Sequence, residues 1–286
     1  MAGWQSYTDQ RSEHTVTGEL LITQSVYSPQ LQNQRHLLVW LPPSYRHSER
    51  RYPVIYMHDG DNLFDHTVSH SGEWQVDETL TTLADEGLEA IVVGIPNMGD
   101  ARFSEYSPYM HDNRGVGLGD AYLRFIIETI KPLIDADFHT LTDAPNTGIA
   151  GSSMGGLISL YGFLQHPDVF GLCGSFSPVF WYGDHALYAL IQAAATGRGR
   201  IYLDVGGSEG IVYANLAADG KQMSQAQAND AYRDGVRRLR DELRQREYDD
   251  NLLYIEDATA QHNEAAWAQR LPAALIFLLQ NTREIS

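Results

Sequence analysis

The chain has 286 residues, 43% of them hydrophobic and 20% charged, and a formal net charge of −17 at pH 7. That length can bury a sizeable core, so one α/β domain over 1–286, with its core at about 15–280, is expected. The acidity argues against nucleic acid and anionic membrane as partners, because both would be repelled.

Met1–Glu13 is polar and lacks the apolar centre of a signal peptide, and no stretch approaches the roughly 20 apolar residues that span a bilayer. A soluble, cytoplasmic protein is the expectation. Thr15–Val26 and His36–Leu41 read as strands, the second stopped by Pro42-Pro43. The pattern then becomes βαβ. Val54-Ile55-Tyr56-Met57 is a short apolar run of the kind buried parallel strands need. A helix at Val76–Glu86, a strand at Ala90–Ile95 and a helix at Asp120–Ile134 follow, with Pro132 weakening that helix's last turn. Next come a strand at Thr147–Ala150, a helix at Met154–Leu164 and a strand at Leu172–Phe176. The last of these holds Cys173, the lone cysteine, which excludes an intrachain disulfide and reads as a small buried hydrophobe. A helix at His185–Ala194, a strand at Arg200–Val205, a helix at Ala226–Arg246, a strand at Leu252–Glu256 and a helix at Asn263–Leu279 complete the chain. This alternation predicts a mostly parallel central sheet with helices on both faces, and catalytic groups in loops at the strands' C-terminal ends.

Gly151-Ser152-Ser153-Met154-Gly155 fits G-x-S-x-G between a strand and a helix, the context a nucleophile elbow demands. Ser153 is the expected nucleophile, in a strained turn at a helix N-terminus, with Gly151 and Gly155 there to avoid collisions with the neighbouring strand and helix. A bare Gly/Ser turn without chemistry is the alternative. The fold places the triad in the order Ser, Asp/Glu, His. His262 follows the last strand and is the expected base. Glu209, on the glycine-rich turn after Arg200–Val205, is the favoured acid, with Asp204 and Asp257 as competitors. The tetrahedral intermediate needs two backbone N–H donors. Met154 supplies one, and the loop after Val54–Met57 supplies the other, from Asp61 or, second, Gly60. His58, Asp59, Asp61, Asp65 and His66 in that loop could be read as metal ligands, but their spacing matches no established site, so no metal is expected.

With these residues the chain resembles the esterase branch of the α/β-hydrolase superfamily that includes enterochelin esterases, feruloyl and acetyl-xylan esterase domains, S-formylglutathione hydrolase and the mycolyltransferases. The resemblance rests on Val54–Gly60 with Asn62-Leu63-Phe64, Gly94-Ile95-Pro96-Asn97 followed by Arg102 and Glu105-Tyr106, Gly151–Gly156, Phe176-Ser177-Pro178 with Phe180-Trp181, and His262-Asn263-Glu264 with Trp267. It implies an α/β-hydrolase fold, a carboxylate at Glu209, an oxyanion donor after Gly60 and no cofactor. Members often carry Asp where Glu209 stands, so the loop should sit slightly farther back.

Trp74, Arg102, Tyr106, Phe180, Trp181 and Tyr182 are candidates for contacting a small-molecule ester, with core packing an equal reading for the aromatics. Arg102 and Glu105 could instead form an ion pair that fixes a loop, and Trp267 should brace the base. Carboxylester hydrolysis through an acyl-enzyme is the expected function. An acyltransferase on the same triad is the alternative, followed by a ligand-binding protein without turnover. Oligomeric state is open.

Overall fold

A computed structural model describes residues 3–109, 117–195, 197–216 and 223–280. In chain order its elements are β1 (Trp4–Ser6), β2 (Glu19–Ser28), β3 (Asn33–Leu41), β4 (Val54–His58), α1 (Val76–Ala84), β5 (Ile91–Ile95), α2 (Arg102–Glu105), α3 (Gly119–Phe125), α4 (Lys131–Asp137) and β6 (Thr147–Ser152). They continue with α5 (Met154–Gln165), β7 (Leu172–Phe176), α6 (Tyr182–Ala193), β8 (Arg200–Gly206), α7 (Gly210–Leu216), α8 (Gln225–Gln245), β9 (Leu252–Asp257) and α9 (Glu264–Leu279). Among the described residues the strands form one sheet in the order β1-β2-β3-β5-β4-β6-β7-β8-β9. β1, β2 and β3 pair antiparallel, as do β3 and β5, and every pairing from β5 onward through β4 to β9 is parallel.

The apolar runs behave as strands covered on both faces. Every residue of β4 through β7 is buried. Because side chains alternate along a strand, Val54 and Tyr56 enter the core that α3, α5, α6 and α8 cover, while Ile55 and Met57 enter the one that α1 and α9 cover. The strand order reverses at β4: its sequence neighbour β5 lies on one side and β6 on the other. Such a switch point opens a crevice at the strands' C-terminal ends.

Four differences from the sequence reading have local causes. The short antiparallel strand β1 precedes the two expected strands, and three residues are too few for a period-2 pattern to show. Pro132 does not fray the end of its helix. A π-helical turn, Ile126–Ile130, lies between α3 and α4, and the proline sits at the start of α4. A proline ring strikes the carbonyl four residues back, and a wider turn there removes the conflict. α7, a seven-residue helix, occupies a stretch without a long periodic pattern. α8 starts one residue earlier than expected, at a capping box in which Ser224 and Gln227 satisfy each other's backbone N–H groups.

At the start of α1, Asp77 is fully buried and accepts a hydrogen bond from the Thr17 N–H (2.6 Å), tying the approach to β2 onto the helix. Carboxylate oxygens of Glu73, Asp77 and Glu78 all lie within 4.8 Å of one another. Burial, then the hydrogen bond and charge of Glu78, push the Asp77 carboxyl up to about 8. The folded protein therefore holds a proton here that the unfolded chain releases near the usual carboxylate value. Stability from this site is present at low pH and is lost as pH rises towards 8. Asp77→Asn keeps an acceptor for Thr17 but does not titrate. Its Tm relative to wild type should climb between pH 5 and pH 8, by about 2 °C for each kcal/mol of relief. A difference constant across that range, measured by calorimetry, would remove the explanation.

Candidate active site

β6 and α5 meet in the tightest turn of the site. Ser153 adopts φ 58°, ψ −117°. This left-handed conformation is strained for a residue with a side chain. It is held from both sides: the Ser153 N–H donates to the Phe176 carbonyl (2.9 Å), and the Val179 N–H donates to the Ser153 carbonyl (3.1 Å). A Cβ at Gly151 would lie 2.8 Å from His58 Cδ2, and one at Gly156 would lie 2.8 Å from the Phe176 carbonyl oxygen. At Gly155 it would make only ordinary contact at 3.4 Å, so the collision expected there is absent, whereas Gly156 does pack closely. Met154, the first residue of α5, carries one of the first-turn N–H groups that a helix cannot pair internally.

The loop after β4 lies beside this turn, since Met57 is in register with Ala150. Asp59 takes a left-handed conformation and Gly60–Asn62 form one 3₁₀ turn. The turn's own bonds run from the Asn62 N–H to the Asp59 carbonyl (2.9 Å) and from the Leu63 N–H to the Gly60 carbonyl (3.3 Å). They leave the Gly60 and Asp61 N–H groups unused by the turn. A Cβ on Gly60 would be 2.7 Å from the Gly94 carbonyl carbon, so only glycine lets this loop lie against β5.

The five polar residues of the loop each have protein partners. His58 Nδ1 meets the Tyr122 hydroxyl at 2.8 Å, and burial pushes its imidazole down to about 3. Asp61 meets His36 Nε2 at 3.0 Å, Asp65 accepts from Tyr7 (2.8 Å), and the His66 N–H donates to Thr15. Asp59 accepts two bonds from Arg102, at 2.7 and 2.8 Å, and one from Asn97 (2.7 Å). Burial alone would raise the Asp59 carboxyl, but the Arg102 charge and these hydrogen bonds outweigh it and hold it below the usual carboxylate range. The ion pair expected between Arg102 and Glu105 is not formed. Glu105 pairs instead with Arg35 of β3 at 2.9 Å, and both side chains are buried.

β8 and β9 deliver the other two groups. The Gly207 N–H donates to the Asp257 carbonyl (2.6 Å) and the Ser208 N–H to the Ala260 carbonyl (2.9 Å), so the loops after the two strands are zipped together. A Cβ on Gly207 would sit 2.1 Å from the Ala258 carbonyl oxygen, which explains the glycine. Glu209 is fully buried at the end of the first loop. Its Oε2 is 3.1 Å from His262 Nδ1, and its Oε1 accepts from the Gly206 N–H and the Ser177 hydroxyl, both at 2.8 Å. The structure thus brings Glu209 and His262 together. The competing carboxylates are committed elsewhere. Asp204 accepts from Arg270 Nε (2.6 Å), Tyr202 and the Ser177 N–H, while Asp257 caps the turn at Thr259 and Ala260 that leads to His262. His262 Nε2 is buried and has no hydrogen-bond partner among the described residues. Trp267 packs edge-on against the imidazole, ring centres 5.0 Å apart.

The aromatic candidates lie in the core. Trp74, Tyr106, Phe180, Trp181 and Tyr182 are each at most 4% exposed, which favours packing over contact with a ligand. Trp74 stacks on Trp267, and Phe180 and Trp181 pack around Tyr213 and Tyr232, the last beside His262. Glu264, which sequence reasoning passed over as a functional group, accepts from Asn62 Nδ2 (3.2 Å). Burial, with the Asp59 charge adding, pushes its carboxyl up to about 7. Ser177, Arg270 and Tyr232 were also missed. The one signal for Arg270 is spacing: Trp267 and Arg270 stand three residues apart, on one helix face, after His262.

The family model described as Putative esterase matches residues 28–278, most of the chain. The chain belongs to this family. Among relatives of this esterase is the Uncharacterized protein YbbA of Bacillus subtilis strain 168, 29% identical over 62% of this chain and 69% of that protein. The siderophore triacetylfusarinine C esterase of Aspergillus fumigatus is 29% identical over 50% of this chain and 49% of its own length. Among solved structures, the enterobactin esterase FES of Shigella flexneri superposes with a TM-score of 0.65 at 20% identity, covering 90% of this chain and 58% of that one. That likeness shows the fold. Among the described residues, no helix is long and apolar enough to cross a membrane.

The Arg35–Glu105 pair yields a stability test. Glu105→Ala leaves a buried guanidinium without its counter-ion and should cost about 3–5 kcal/mol in urea unfolding. A loss below about 1 kcal/mol would show that the pair does not brace β3 against α2.

Proposed function

We propose that the protein hydrolyses carboxylic esters through an acyl-enzyme on Ser153, with His262 as base and Glu209 as orienting acid. The observation that carries this is the Glu209–His262 contact at 3.1 Å. A carboxylate can only accept, so Nδ1 carries the proton and Nε2, which has no partner among the described residues, is the nitrogen left to act as base. Nε2 takes the Ser153 proton as the hydroxyl oxygen attacks the ester carbonyl. The developing oxyanion is received by the Met154 N–H and by an N–H of the loop after β4, Asp61 or Gly60. Collapse expels the alcohol, protonated by the imidazolium, and water attacks the acyl-enzyme by the same steps in reverse. Strain at Ser153 supports the reading: its φ 58° with ψ −117° lies outside even the left-handed helical region, and strain of that kind gathers at functional sites.

Hydrolysis of a short p-nitrophenyl ester tests the proposal. Ser153→Ala should lower kcat by on the order of 10⁴ or more, and Glu209→Gln by less. Undiminished turnover by Ser153→Ala, or an intact Ser153 left unlabelled by a fluorophosphonate, would end the assignment. A larger loss in Asp204→Asn or Asp257→Asn than in Glu209→Gln would move the acid. Product analysis with an added alcohol separates hydrolysis from acyl transfer. Relatives named for siderophore esters make such esters the first substrates to screen.

A further inference from the structure

Behind the acid lies a serine that the reaction scheme does not use. Ser177 follows β7, is fully buried, and has φ 42°, a left-handed conformation without glycine. Its hydroxyl oxygen receives two hydrogen bonds from groups that can only donate, Trp267 Nε1 and Arg270 Nη2, both at 3.1 Å. With both lone pairs filled, the one hydroxyl proton must point outward, and the nearest acceptor is Glu209 Oε1 at 2.8 Å. Asp204 Oδ1, at 3.4 Å, is a poor rival. Its backbone is fixed as well: the Ser177 N–H donates to Asp204 Oδ1 (2.8 Å), and the Ser177 carbonyl accepts from Tyr232.

The same turn touches the nucleophile. Phe176, one residue before, accepts from the Ser153 N–H, and Val179, two residues after, donates to the Ser153 carbonyl. One short segment therefore holds the backbone of the proposed nucleophile and, through a single hydroxyl, one oxygen of the proposed acid. The other oxygen of that carboxylate faces His262.

We infer that Ser177 is a positioning residue of the esterase site: its hydroxyl, oriented by Trp267 and Arg270, fixes the rotation of the Glu209 carboxylate so that Oε2 meets His262 Nδ1. The inference rests on the triad reading above. Without this bond the carboxylate can turn within its pocket, and the imidazolium formed during the reaction loses a fixed partner. Arg270 has a linked part. It spans both buried carboxylates, at 2.6 Å from Asp204 and 3.5 Å from Glu209, so a freed Glu209 would be drawn towards the guanidinium and away from the imidazole.

The test uses the full chain with Ser177→Gly, Ser177→Ala and Ser177→Cys. Glycine accepts the positive φ and so preserves the turn while removing the hydroxyl. Cysteine keeps a weak donor and alanine keeps none. On a p-nitrophenyl ester, the glycine and alanine variants should lose kcat by about 10–100-fold, the scale of one hydrogen bond to a charged group, with KM changed by about twofold or less. The acid limb of the kcat/KM profile should move to lower pH, because the protonated base is less well supported. Cysteine should fall between wild type and alanine, and this order remains readable if the glycine variant does not fold. Folded variants with wild-type kcat and an unshifted profile would overturn the inference. So would a loss that follows Tm alone and leaves the profile in place. Ser153→Ala is assayed alongside: activity there sinks the triad reading itself, whereas an inactive Ser153→Ala beside a fully active Ser177→Gly sinks only the role of Ser177.

Discussion

A carboxylate with no access to water must find every hydrogen bond inside the protein, and Glu209 is such a group. The β8 and β9 loops are arranged around that demand. Gly206 supplies a backbone N–H, Ser177 a hydroxyl and His262 a ring nitrogen, and the two loops are joined by backbone bonds that leave no room for a side chain at Gly207. Removing any one partner leaves the others misdirected, which is why Glu209, His262 and the start of α9 form one unit.

The parallel sheet sets up the other half of the site. Reversal of strand order at β4 puts the loop of β4 beside the turn after β6, and both must approach closely. His58 under the Ser153 turn and Gly60 against β5 are consequences of that closeness. The two halves meet at the segment from Phe176 to Val179, which bonds to Ser153 on one side and, through Ser177, to Glu209 on the other. β7 lies between β6 and β8 in the sheet, so its terminal loop is the piece of chain able to reach both.

Charged side chains near the site are mostly neutralised in pairs: Arg102 with Asp59, Arg35 with Glu105, Arg270 with Asp204. A chain with net charge −17 has few cations to place, and these three are set against buried or half-buried carboxylates. Burying a carboxylate unpaired is costly, so this use of scarce arginine is economical in energy. Glu264 has no such pairing among the described residues and is pushed up to about 7, by burial first.

Periodicity and turn chemistry made the parallel strands, the serine turn and the histidine loop readable from residue order, because these depend on neighbours within a few positions. Val54–Met57, Gly151–Gly156 and the run into His262 carry their own local signals. Preferring Glu209 to Asp204 and Asp257 as the expected acid used only chain order and the position of a strand end, and the structure sets Glu209 Oε2 3.1 Å from His262 Nδ1. Pairing was a different matter. Nothing local says that Glu105 meets Arg35 rather than Arg102, that five aromatic residues near the site turn into the core, or that Ser177 lies behind Glu209. Such partners stand tens of residues apart and are brought together by strand order and helix packing. Long-range contact is a property of the folded chain in three dimensions, and no short window of sequence contains it.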